Sequence, residues 1–236
     1  MKETIYTIPL NESYEQDSEC PLCFIEKGLE KEAVEYALGA AMMEPDYRIV
    51  SNDKGYCNKH FSRMFAIPNK LSLALVLDTH MNEIIKKLKA SEKVITKDGK
   101  GGLFKKSEGG QSEPVKKITS SCVVCDRVNE TMKRYIEIFF YMWEKDEKFR
   151  EKVLSSKGFC LEHFSALVEG AAKNLKNPAE FVRKIYDMEI ENLTRINEDV
   201  HKFTLKFDYR NKDMEWGTAE DAPIRAIEKI QGYINT

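Results

Sequence analysis

The chemistry in this chain is concentrated in four short blocks, Cys20-Pro-Leu-Cys23, Cys57-Asn-Lys-His60, Cys122-Val-Val-Cys125 and Cys160-Leu-Glu-His163, which use every cysteine in the sequence. Zinc takes four thiolate or imidazole ligands in a tetrahedron, and two close ligand pairs separated by a loop or helix are the usual way a chain supplies them. Chain order predicts Cys20, Cys23, Cys57 and His60 as one site, with Cys122, Cys125, Cys160 and His163 as the other. Four protein ligands leave no position for water or substrate, so two structural zinc ions are the expected cofactors. Three cysteines and one histidine would also suit an iron–sulfur cluster by ligand softness. Disulfides conflict with the missing export signal. A redox dithiol fits poorly, because Cys122-Val-Val-Cys125 lacks the proline of the first block and no βαβ pattern surrounds either. A thiol–zinc redox switch stays open.

The blocks recur. The two Cys-x2-Cys segments lie 102 residues apart, while Lys54-Gly-Tyr-Cys57 and Lys157-Gly-Phe-Cys160, each running on to His-Phe-Ser, lie 103 apart. Such constant register predicts two homologous halves. Gly55 and Gly158 stand two residues before the third ligand, where a tight turn is needed.

The elements that must hold these residues read as helices. Apolar positions step by three and four through Ile25, Leu29, Ala33, Tyr36, Ala40 and Met43, and again through Val128, Met132, Tyr135, Phe139 and Met142. Further helices are predicted from Asn69 to about Ala90 and from Asn177 onward, with Pro45 and Pro178 near helix starts. His201 to Tyr209 alternates like a strand, yet Val200, Phe203 and Phe207 continue the helical period, and helix is predicted. Thr218 to Asp221 resembles a capping box opening a last helix. The expected fold is all-α: a zinc-binding repeat over 1–90, a flexible Lys/Gly-rich linker over 91–118, a second zinc-binding repeat over 119–206, and a polar, aromatic tail with a terminal helix over 207–236.

The 236 residues carry a formal net charge of −2, too near neutral for a dedicated nucleic-acid coat. The linker lysines have no aromatic partners placed for base stacking, which leaves nucleic-acid binding through the linker as a minor alternative. No apolar block precedes Cys20, so no signal peptide or lipid anchor is expected and the cytoplasm is the expected compartment. The longest apolar stretches fall far short of the roughly 20 residues a membrane span requires, so no membrane partner is expected.

Outside the cysteine blocks only His80 and His201 remain among the histidines. His80 aligns with Glu189 between the halves, so a pseudo-twofold packing would gather both with Asp78 and Asp187 in a buried polar cluster, the candidate catalytic site. A structural ion pair or core histidine is the simpler reading of the same residues. In the tail, Arg210, Trp216 and Arg225 are candidate ligand contacts, against the plainer reading of an Arg–Asp clamp. Arg48 and Arg150, at equivalent positions, are expected to cap helix ends or pair with acidic neighbours. No phosphate loop or nucleophile elbow is present.

Together with the duplicated cysteine blocks, Met43-Glu44-Pro45-Asp46-Tyr47-Arg48 and Phe207-Asp208-Tyr209-Arg210-Asn211 resemble an uncharacterised bacterial family, a domain of unknown function, over nearly the whole chain. The resemblance implies no activity. Some members carry the label ABC transporter substrate-binding protein, from which this sequence departs in having neither an export signal nor an α/β periplasmic-binding pattern. The function expected is a zinc-stabilised helical binding or adaptor protein for an unidentified small molecule or protein, with an enzyme using the His80 cluster as the alternative.

Overall fold

The computed structural model describes residues 5–96 and 110–234. Twelve α-helices run through them: α1 Thr7–Ser13, α2 Pro21–Leu38, α3 Pro45–Lys54, α4 Asn58–Ala66, α5 Lys70–Ala90, α6 Glu92–Ile95, α7 Glu113–Thr119, α8 Val123–Lys145, α9 Glu147–Leu154, α10 Leu161–Asn174, α11 Pro178–Lys206 and α12 Ala222–Gln231. No strand occurs among the described residues, and no helix among them is long and apolar enough to cross a membrane. The all-α expectation holds.

Local signals set the helix limits. Pro45 and Pro178 occupy first-turn positions of α3 and α11, where the missing N–H costs nothing. Asn69 caps α5 by accepting from Ser72 N, and Asp146 caps α9 by accepting from Phe149 N. The helical period through Phe203 prevails over the strand-like alternation, since α11 continues to Lys206. Two expectations fail. The first stripe breaks at Gly39, where the chain turns into a short 3-10 segment and leaves Met43 86% exposed. Thr218 does not cap α12, because its hydroxyl donates to Asp199 instead.

The chain divides into two compact units that do not part at 91–118. One comprises residues 1–28 and 131–236, the other residues 29–130. α2 and α8 therefore each begin in one unit and end in the other. Of the expected linker, residues 97–109 lie outside the described residues, and helical turns α6 and α7 lie to either side of them.

The first unit has an aromatic core. Phe139, Phe140, Phe149, Phe159 and Phe181 are fully buried, and Phe139 meets Phe149 and Phe159 edge-on at 5.4 and 6.0 Å. Trp143 packs edge-on against Phe181 at 4.9 Å. In the second unit Val34, Ala37, Leu38, Ala41, Met64, Leu73 and Val76 are buried, and α3 packs along α5.

Candidate metal centres

The eight ligand candidates form two tetrads, each within one unit, but not the tetrads that chain order suggests. Cys20 and Cys23 join Cys160 and His163 in the first unit, while Cys57 and His60 join Cys122 and Cys125 in the second. We call these the outer and inner tetrads. The helices explain the exchange. An 18-residue helix is about 27 Å long, so α2 carries the chain well away from Cys20 before Cys57 is reached. α8 does the same between Cys125 and Cys160.

In the outer tetrad His163 Nδ1 lies 3.5, 3.4 and 3.2 Å from the sulfurs of Cys20, Cys23 and Cys160, and Cys23 Sγ lies 3.5 Å from Cys160 Sγ. In the inner tetrad His60 Nδ1 lies 3.1, 3.3 and 3.4 Å from the sulfurs of Cys57, Cys122 and Cys125, and Cys57 Sγ lies 3.8 Å from Cys125 Sγ. Zinc–sulfur bonds of about 2.3 Å and zinc–nitrogen bonds of about 2.0 Å give tetrahedral edges of roughly 3.5–3.8 Å. The donors thus stand close to the corners of a single-ion site. The sulfur separations are far beyond the roughly 2.05 Å of a disulfide, and all six cysteines are free.

Secondary structure fixes the donors. Cys57 and Cys160 are the N-cap residues of α4 and α10, in extended conformation, so each following histidine sits in the first turn on the same side. Cys160 Sγ accepts from His163 N, and Cys122 Sγ accepts from Cys125 N, both at 3.5 Å. Helix N-termini favour thiolate charge. The turn before each pair runs through Gly55 and Gly158 at φ of +66° and +83°. A Cβ on Gly55 would come within 2.3 Å of His80 Nε2, and one on Gly158 within 2.6 Å of Glu189 Oε2.

Both histidines turn Nδ1 to the sulfurs and Nε2 to a carboxylate on α2. His60 Nε2 is 3.4 Å from buried Glu30, and His163 Nε2 is 3.8 Å from Glu26. Glu30 also pairs with Arg63 at 2.6 Å and Lys59 at 2.5 Å. Such outer carboxylates fix the tautomer and raise the ligand's basicity. The sequence reading missed them, although Cys23, Glu26 and Glu30 share one face of α2 by their spacing of three and four.

Without metal, burial pulls His163 down, but the Cys160 and Cys20 sulfurs outweigh it and hold its pKa up at about 11. The same balance, with Cys122 and Glu30, puts His60 at about 9. Burial raises Cys122, yet hydrogen bonding to His60 brings it down to about 6, and hydrogen bonding to its neighbours likewise depresses Cys160. In each tetrad the imidazole and the sulfurs thus favour each other's charged forms. A metal takes neutral imidazole and thiolates, so binding displaces protons and affinity rises with pH.

The other buried candidates have partners already. His80 is buried with Nδ1 2.8 Å from Asn52 O, while Asp78 is exposed on the same helix. Glu189 accepts from Phe159 N at 2.9 Å and pairs with Lys229 at 2.9 Å. Asp187 pairs with Arg183 on the exposed side of α11. Each aspartate thus stands apart from the buried residue it was expected to join. Lys229, fully buried, donates to the carbonyls of Lys157 and Glu19 at 2.6 and 3.5 Å, tying together the two turns that lead into the outer tetrad. In the inner tetrad that linkage is made directly, by Ser121 Oγ to Lys54 O at 2.7 Å and Val123 N to Gly55 O at 3.0 Å. In the tail, Arg225 is sunk among Asp199, Asp221 and Glu19 at 2.9, 2.7 and 3.6 Å. Arg210 chelates Asp208, and Trp216 packs on Phe203 and Phe207.

No curated protein and no solved structure matches the chain. A family model does: one describing a family of unknown function, DUF6062, matches residues 1–236.

Proposed function

Because the chain belongs to the family of unknown function DUF6062, its role has to be read from its own residues, and we propose that it is a helical binding or adaptor protein whose two units are each stapled by a structural zinc ion. The observation that carries the reading is the donor spacing of the two tetrads. Four protein donors close each shell, which leaves no coordination position for substrate. The donors of a tetrad all lie within 4.8 Å of one another, room for one ion and not for the several iron and sulfide atoms of a cluster, which favours zinc over iron–sulfur. A structural zinc contributes on the order of 10 kcal/mol of apparent folding free energy in small domains. Here it would join segments far apart in the chain. Catalysis through His80, Glu189, Asp78 and Asp187 has less support, since the buried pair already has protein partners and the aspartates face solvent.

Native and denaturing mass spectrometry of protein purified without chelator test the reading. Two zinc ions per chain, lost together with helical structure on chelation, are expected. Iron with sulfide, or a fully folded chain without metal, would overturn it.

A second reading has one observation in its favour. Cys57 and Cys125 are only half-buried, so the inner tetrad would be open to oxidants. Hydrogen peroxide would oxidise the two zinc-bound thiolates to a disulfide, its two oxygens leaving as two molecules of water with two protons taken up from solvent, and the zinc would lose two of its four donors. A loss of two hydrogen masses confined to Cys57 and Cys125, with release of one zinc, would support a redox sensor.

A further inference from the structure

We propose that the first unit binds the phosphate or carboxylate group of a small anion in the cavity beside Arg150. The inference deepens the binding-protein reading and rests on it. The cavity measures about 500 Å³, within the usual range for small-ligand sites. It lies where the last turn of α8, the start of α9 and the first turn of α11 meet, and no metal-ligand candidate lines it.

Its chemistry is that of an anion site. Lys145, Arg150, Lys176 and Lys184 line it against two carboxylates, Glu144 and Glu180. Both carboxylates are engaged: Glu180 pairs with Lys184 at 2.7 Å and accepts from Asn177 at 3.0 Å, and Glu144 accepts from Lys176 N at 3.0 Å. The ammonium groups of Lys145 and Lys176 have no ion-pair partner among the described residues.

Arg150 is the fixed element. Its Nη1 donates to Trp143 O at 2.9 Å and Glu144 O at 3.4 Å, capping the end of α8. Its Nε and Nη2 have no protein acceptor among the described residues, which leaves one edge of a pre-oriented guanidinium for a bidentate anion. The contrast with Arg48 is informative. That arginine stands 102 residues earlier and spends Nη1 on Met42 Sδ and Nη2 on Leu75 O and Thr79 Oγ1. Leu175 is the half-buried apolar residue of the wall, while Trp143 and Phe181 are 7% and 1% exposed, so the lining offers charge and polar groups more than apolar surface.

Trp143 provides the readout. The chain has two tryptophans, and Trp216→Phe leaves Trp143 as the only one. Metal-loaded full-length W216F is titrated with phenyl phosphate and, separately, inorganic phosphate, following Trp143 emission. A saturable change with either probe that weakens as salt rises is expected. Arg150→Gln should weaken binding by about tenfold or more, the worth of a charge-assisted hydrogen bond. Because Arg150 also caps α8, the double variant K145Q/K176Q, which removes only rim charges, should weaken binding several-fold with an unchanged unfolding midpoint. No saturable change, or an affinity indifferent to both variants, overturns the proposal. Zinc content measured on the same samples separates that failure from failure of the metal reading.

Discussion

Replacing Lys229 by methionine tests the buried ion pair beside the outer tetrad. Its ammonium group is fully inaccessible, 2.9 Å from Glu189 and 2.6 Å from Lys157 O. Methionine keeps the apolar stem but leaves the Glu189 carboxylate, itself only 2% exposed, without its counter-charge. Breaking a buried pair from one side costs about 3–5 kcal/mol. For a chain of this size each kcal/mol moves the midpoint by about 2–4 °C, so thermal unfolding of the zinc-loaded protein should fall by roughly 6–20 °C. Adding Glu189→Leu should recover much of the loss, because an apolar pair removes both desolvation costs, although the N–H of Phe159 loses its acceptor. Lys184→Met, which breaks an exposed pair with Glu180, should leave the midpoint in place. A K229M loss below about 1 kcal/mol, or a double variant as unstable as the sum of the singles, would refute the claim that this pair holds the two ligand turns together.

Graded chelation should empty the inner tetrad first, because Cys57 and Cys125 are half-buried while all four outer donors are buried; hydrogen exchange should then loosen in residues 29–130 before the rest. Glu30→Gln should weaken metal binding at the inner tetrad about 10–100-fold, measured by competition with a chromophoric chelator, with the outer tetrad unchanged. Gly55→Ala should destabilise by about 2 kcal/mol or more through its positive φ and the contact with His80, and Gly55→Ala with His80→Ala should remain below wild type in urea unfolding because only the contact is relieved.

The ligand types and the helices were legible because both rest on local spacing. Cys-x2-Cys and Cys-x2-His place two donors on one turn whatever the rest of the chain does, and α5 and α11 follow from an unbroken apolar period. Ligand pairing was not legible, since spacing within a pair says nothing about which other pair it meets. The length of α2 decides that. Lys229 carried a signal that went unread: it lies seven residues after Ala222, on the face of α12 that both residues bury. Thr218 shows the opposite case, a local capping pattern lost to a distant partner, Asp199.

The nested pairing also orders events on the ribosome. Cys57, His60, Cys122 and Cys125 can close around metal as soon as Cys125 has emerged, with residues 29–130 already made. Cys20 and Cys23 emerge first yet close last, since His163, the last donor, is synthesised 38 residues after Cys125. At roughly 5–20 residues per second that is a further interval of about 2–8 s in which two of the earliest cysteines remain open, free to capture a wrong metal or each other. The second unit is thus the part of the molecule that a nascent chain completes first, and the earliest residues of the first unit must wait for the latest.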